Sequence, residues 1–324
     1  MTAMIELRDR LKAFAGVYEV YVLGIVKAAA AFVIFNCING EIGYMERLNS
    51  VTLVLVLSLV SALLPVDFIS LAAAVFVLMH LFALSPAVAA VGACIFAVMY
   101  LIYFRFTPGR GYFAVLTPVS YIWHIPCVMP FVAGYMDKSP SSGVPVVCGT
   151  VIYYFLKGVK ENAVSLSTMD DKDSLVSKMS DTVSQLVGNR EMLTMACVML
   201  VTTVTVWFIR RLKVDYAWYI AFAVGATVEL VGMILGNIRF ALGISILGMF
   251  IQIILSAVVS FLLMFFLFNL DYERTERVQF EDDEYYYFVK AVPKVYVAKG
   301  QKKVKKFAVE NVTKDDVIKD FEEE

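Results

Sequence analysis

Glu229 is the residue whose setting most invites chemistry. It stands inside an apolar run, 216–237, where an ionised carboxylate would be costly to hold in lipid. Gly225, Glu229, Gly232 and Gly236 fall at i, i+4, i+7 and i+11, so the carboxylate shares a helix face with three glycines, two of them in a GxxxG pattern. Two readings stay open. One is close helix packing, with the glutamate satisfied by a neighbour's hydroxyl or amide. The other is an ion- or proton-coupled site whose protonation follows conformation. Lys27, in another apolar run, either pairs with Glu229 or snorkels to the surface. His124 lies between Trp123 and Pro126 in a proline-broken segment. There, freed backbone groups, an imidazole and an aromatic ring suit a mid-membrane binding site, against the plainer role of a hydrogen-bonded structural histidine. His80, near the end of its run, reads as interfacial.

The elements that must position these residues follow from composition. The chain has 324 residues, 60% hydrophobic and 18% charged, with a mean hydropathy of +0.74. A soluble domain is nearer half apolar and a quarter charged, so this surplus calls for an apolar solvent. It is concentrated in 17–157 and 192–270. A crossing takes about 20 apolar residues, and candidates stand at 17–38, 49–65, 67–85, 87–104, 113–136, 192–210, 216–237 and 240–270. The expected fold is an all-α polytopic membrane helix bundle of about eight spans plus one short re-entrant or broken segment. Pro118, Pro126 and Pro130 break the fifth span, and the apolar stretch 144–156 is short, so 113–157 reads as one full crossing plus one partial one.

Outside these runs the organisation is simpler. Residues 1–16 suit an interfacial amphipathic helix, with Ile5, Leu11 and Phe14 on one face and no cleavable signal pattern. The polar linker 158–191 carries Leu175, Met179, Val183 and Leu186 at helical spacing, an amphipathic helix. The soluble tail, 271–324, opens with charged residues and an acidic cluster, 281–284. Two short strands, 285–289 and 294–298, are expected next, then the basic cluster 302–306 and a terminal helix over 315–324. Tyr285, Tyr286 and Tyr287 are either ordinary strand packing or an edge that recruits a partner by strand addition.

Lysine and arginine tallies come out the same whether eight or nine crossings are counted, so charge alone does not orient the chain. The shortness of 144–156 and the dense Arg210-Arg211-Leu212-Lys213 cluster favour eight, with both termini cytoplasmic. No phosphate loop, HExxH or GxSxG is present, and the five cysteines lack metal spacing, so neither an enzyme nor a cofactor or metal is expected. No basic stripe interleaved with aromatics suggests nucleic acid. The expected partners are the bilayer and a protein partner or second copy. Two functions remain: a permease-like transport subunit using the broken segment and Glu229, or a non-catalytic scaffold that recruits a complex through its tail.

Arg211-Leu-Lys-Val-Asp-Tyr-Ala-Trp218 and the stretch from Val278 to Lys294 resemble uncharacterised multi-pass membrane proteins of clostridial Gram-positive bacteria. The resemblance covers mainly 190–295. It implies a bacterial plasma membrane and no particular activity.

Overall fold

The computed structural model describes residues 2–167, 180, 182–185, 188–242, 245–267 and 275–292. Residues 18–294 form one unit, and helix α1 (Thr2–Val17) falls outside it. Leu7, Leu11 and Phe14 of α1 are exposed.

Within the larger unit, three prolines sit where helices begin. Pro65 precedes α4 (Val66–Leu84), Pro86 is the first residue of α5 (Pro86–Phe106), and Pro145 lies in the first turn of α8 (Gly143–Glu161). A first-turn proline loses no intrahelical hydrogen bond, because that N–H has no partner there. The bundle is completed by α2 (Glu19–Ile42), α3 (Val51–Leu63), α6 (Tyr112–Ile122), α7 (Val128–Met136), the short α9 (Ala163–Ser167), α10 (Arg190–Arg210), α11 (Ala217–Phe240) and α12 (Ile246–Leu267).

Among the described residues, six helical stretches are long and apolar enough to cross a membrane: α2, α4, 140–161 (a 3-10 turn running into α8), α10, α11 and α12. Helices α3 and α6 and the apolar part of α5 are shorter. The outside of the bundle is oily. Leu63, Val20, Ile238, Leu247 and Phe82 are each more than 60% exposed, the reverse of a soluble surface and the pattern expected where lipid is the solvent.

Two helix groups share a central wall. On one side α2, α3 and α4 bury Phe35, Val54, Ile69 and Phe76 against Val119 of α6. On the other, α10, α11 and α12 bury Met199, Met233 and Ile253 with Phe113 and Tyr121 of α6 and Tyr154 of α8. Gly149 lets α6 and α8 meet. A Cβ there would lie 2.6 Å from the Ala114 carbonyl oxygen, which Pro118 leaves without its helical donor.

The segment expected to be short is the one that runs long. Helix α8 continues beyond 156 through Lys157-Gly-Val-Lys-Glu161, because these charged residues lie at its end and reach water-facing partners. Conversely, 113–136 is not one helix but two, of 11 and 9 residues.

The tail contributes one hairpin, β1 (Glu276–Glu281) antiparallel to β2 (Tyr286–Ala291), with Glu281 opposite Tyr286. The tyrosine-rich strand is present, but its partner precedes it in sequence instead of following it. Asp282 makes the turn: its Oδ1 accepts from the N–H groups of Glu284 and Tyr285 at 3.0 and 2.7 Å. All twelve strand residues are exposed. Lys290 pairs with Asp215, which fixes the hairpin beside the α10–α11 loop. The expected strand 294–298, the basic cluster 302–306 and the terminal helix 315–324 lie outside the described residues, as do Leu175, Met179 and Leu186 of the linker; Val183 is described and exposed.

Candidate functional site

Helices α6 and α7 form a hairpin whose two open ends lie together. Arg110, just before α6, sits 3.4 Å from the Asp137 carboxylate just after α7. The guanidinium of Arg210 donates to the carbonyls of Tyr135 and Asp137, so a cation closes the C-terminus of α7, where its dipole is negative. The same guanidinium lies 5.4 Å from the Trp218 ring, on which Tyr135 stacks at 5.1 Å.

The tip of the hairpin explains how a chain can reverse among apolar helices. The N–H groups of Ile125 and His124 donate to the carbonyls of Ser120 and Tyr121 at 2.8 and 3.0 Å. This is the bonding pattern of a Schellman stop, and it places His124 at φ 58°, in the left-handed position usually given to glycine. Pro126 prevents the helix from resuming at once, and Met129 N–H to Pro126 O opens α7. Backbone groups at the tip are therefore paired internally, as an apolar setting requires.

Contacts along α7 fix its depth. Cys127 Sγ lies 3.9 Å from Met233 Sδ, Phe131 packs at Gly225, and Gly134 faces Val206. Glu229, between those levels and near the midpoint of α11, is 1% exposed, and its Oε1 has no hydrogen-bond partner. The Cys127 thiol neighbours both Glu229 and Ser256 of α12. Register supplies a fourth member. Gly225 faces Val206 and Gly232 faces Val198 on antiparallel α10, so the position midway along that face, Thr202, stands level with Glu229. The hydroxyls of Thr202 and Ser256 are also buried without partners. A carboxyl, a thiol and the Ser256 hydroxyl thus meet beside the N-terminus of α7, with Thr202 level with them on α10, a setting in which the carboxyl can hold a proton.

A second feature lies on the other face of α6. A cavity of about 420 Å³ runs between α2, α4, α5, α6 and α8. Its walls are apolar, including Ile38, Ala74, Val77, Phe96, Val115 and Leu156, and its rim carries Glu41, Lys157, Lys160 and Glu161. The Lys160 ammonium lies 2.6 Å from Glu41, and Lys157 lies 3.6 Å from Glu191. Tyr153 lines the cavity and stacks on Tyr121 at 4.3 Å with an interplanar angle of 13°. Tyr121 is buried, its Oη is unpaired, and it lies within electrostatic reach of Glu229 and Cys127. One stacked ring pair therefore separates the cavity from the sealed polar cluster.

No family model, curated protein or solved structure matches this chain. Its function must be read from its own geometry.

Of the residues singled out by sequence, Glu229 sits in the polar cluster and Gly225, Gly232 and Gly236 face α10. Lys27 does not reach Glu229: its ammonium donates to the Leu64 carbonyl at 3.1 Å, closing the end of α3. His124 is exposed at the hairpin tip, and its backbone conformation accounts for its place. His80 is fully buried. Its Nδ1 accepts from Met45 N–H at 3.2 Å and its Nε2 bonds Asn39 Oδ1 at 2.9 Å, clasping α2 to α4. Tyr285, Tyr286 and Tyr287 are exposed on the hairpin, Tyr287 stacked on Phe280. Sequence reasoning missed Thr202, Cys127, Ser256, Tyr121 and the cavity. Only Thr202 left a trace, at i, i+4, i+8 and i+12 with Thr194, Val198 and Val206. Among the described residues no three His, Cys, Asp or Glu side chains gather into a metal site.

Proposed function

We propose that this chain is a permease-like transport subunit of eight passages, α2, α3, α4, α5, α8, α10, α11 and α12, with α6–α7 as a re-entrant hairpin. The observation that carries the reading is a buried carboxyl, its Oε1 without a hydrogen-bond partner, at the tip of a broken-helix hairpin, one ring pair away from a half-open apolar cavity. Half-helices that end at mid-membrane recur at transport sites, where a helix end and its dipole lie beside the site. The cavity holds an apolar or amphiphilic solute. Glu229 takes up and releases a proton as the α6–α8 wall shifts.

The re-entrant assignment also orients the chain. It puts Lys138 on the same side as Arg105, Arg110, Arg210, Arg211, Lys213 and the hairpin's Lys290, opposite Arg47, Lys157, Lys160, Arg190 and Arg239. Under the positive-inside rule that richer side is cytoplasmic, and both ends of the bundle lie there.

The test is transfer of fluorescent amphiphiles across liposomes containing the purified full-length protein. Transfer should depend on an imposed pH gradient, and Glu229→Gln should remove that dependence while leaving the protein folded. A Glu229→Gln protein with unaltered transfer at every pH overturns the reading.

A second reading, a scaffold recruiting a partner, is favoured by the exposed hairpin, whose outer edges pair with no other strand among the described residues and so suit strand addition. Deleting 276–291 should then abolish partner recovery without affecting transfer.

A further inference from the structure

We propose that the cavity between α2, α4, α5, α6 and α8 binds a single-chain amphiphile with a zwitterionic head, the chemistry of a lysophospholipid. The inference deepens the transport reading by naming its solute class, and it rests on that reading only for the biological direction of movement.

Size sets the tail. A volume of about 420 Å³ lies near the lower end of the roughly 300–1,000 Å³ spanned by small-ligand pockets, which suits one acyl chain better than two. Shape agrees. The lining on α8 runs from Cys148 to Glu161, about 20 Å at 1.5 Å per residue. That compares with one leaflet of a hydrocarbon core roughly 30 Å thick. Walls of alanine, valine, isoleucine, leucine and phenylalanine offer a tail dispersion contacts and no hydrogen bonds.

Charge sets the head. Polar side chains are concentrated at the ends of α2 and α8, where Glu41 and Glu161 accompany Lys157 and Lys160. The Glu41–Lys160 pair is partly exposed, with side chains 34% and 51% accessible, so a head group can exchange with it at little cost. A purely anionic head would meet Lys160 only by displacing Glu41, and would then face two uncompensated carboxylates. A head carrying phosphate and ammonium satisfies both signs at once, its phosphate on the lysines and its cation on the glutamates.

The experiment is binding, measured by native mass spectrometry and by displacement of a fluorescent-chain probe, on the full-length protein in a maltoside detergent. Palmitoyl lysophosphatidylcholine should bind saturably, one per chain. It should outcompete palmitate, the anionic lysophosphatidylglycerol and dipalmitoyl phosphatidylcholine by at least about tenfold. Ala74→Phe, which fills the cavity, should lower affinity at least tenfold with an unchanged melting temperature. The double swap Glu41→Lys with Lys160→Glu keeps the ion pair and tests folding separately; it should retain binding within about threefold.

Binding indifferent to Ala74→Phe overturns the site. Equal or tighter binding of palmitate or lysophosphatidylglycerol overturns the zwitterionic head, and equal binding of the two-chain lipid overturns the single-chain fit. Glu229→Gln should bind normally. Intact binding with no transfer in liposomes would therefore sink the transport reading and leave this one standing.

Discussion

Arg110 and Asp137 hold together the two ends of a helical hairpin that the chain enters and leaves within 27 residues, their charged groups 3.4 Å apart. If that hairpin is re-entrant, the loops on either side of it face the same compartment. Single cysteines answer this directly, in a background lacking the exposed Cys94 and Cys197. Lys138→Cys and Lys213→Cys should react with an impermeant maleimide from one side of oriented vesicles, and Arg47→Cys from the other. Labelling of Lys138→Cys from the Arg47 side would make 112–136 a crossing after all.

Close packing of α7, α10 and α11 rests on missing side chains. A Cβ on Gly225 would lie 2.6 Å from Val206 Cγ2 and 2.8 Å from the Phe131 ring. Gly225→Ala should therefore destabilise the bundle by about 1–3 kcal/mol, as overpacking does. Gly158, inside α8 with open space around it, is the control, and Gly158→Ala should gain about 0.5–1 kcal/mol. Unfolding in mixed micelles compares them; equal effects at the two glycines would contradict the packing argument.

His124 occupies a left-handed position at a helix stop. His124→Gly should hold or raise stability, by up to about 1 kcal/mol, because glycine adopts that conformation without a Cβ penalty. It should also leave amphiphile transfer intact. Loss of transfer with full stability would show that the imidazole itself is used.

Acid should loosen the tail hairpin. The N–H of Glu284, the Tyr287 hydroxyl and the N–H of Tyr285 all donate to Asp282, and they hold its carboxyl below the usual carboxylate range. A depressed folded value means that the ionised form favours the hairpin. Its contribution is complete above the unfolded value of about 3.9 and disappears as pH falls through the lower folded one. Amide protection across 276–291, taken relative to the intrinsic exchange rate at each pH, should therefore fall in acid, and Asp282→Asn should flatten that dependence. An unchanged acid response in Asp282→Asn would assign it to other groups.

The sequence made much of this visible, and the reasons for the rest are physical. Hydropathy located the oily runs because lipid-facing residues such as Val20, Leu63 and Ile238 cannot be polar. Pro126 and its neighbours announced a break. Length did not reveal that 113–136 divides into two short helices. The stretch 113–136 has enough apolar residues to cross if straight, and nothing local shows that it folds back. Helix α8 looked too short because its last turn is charged, though those charges belong to the cavity rim. Glu229 stood out as a lone carboxylate, but its neighbours come from α10, α12 and the α6–α7 turn. Cys127, Thr202 and Ser256 are ordinary membrane-helix residues until tertiary packing brings them together.

The clamp of Arg210 on the end of α7 has a consequence for biogenesis. Synthesis delivers the hairpin before Arg210, Val206 and Gly225 exist, so α7 emerges without its partners on α10 and α11 and with a length that, joined to α6, is enough for a span. On the re-entrant reading the path is chosen late, once α10 and α11 follow. Chains stopped between 161 and 190 should therefore be caught with 112–136 threaded through the bilayer, and the completed protein should carry the record of its repair in the side on which Lys138 finally rests.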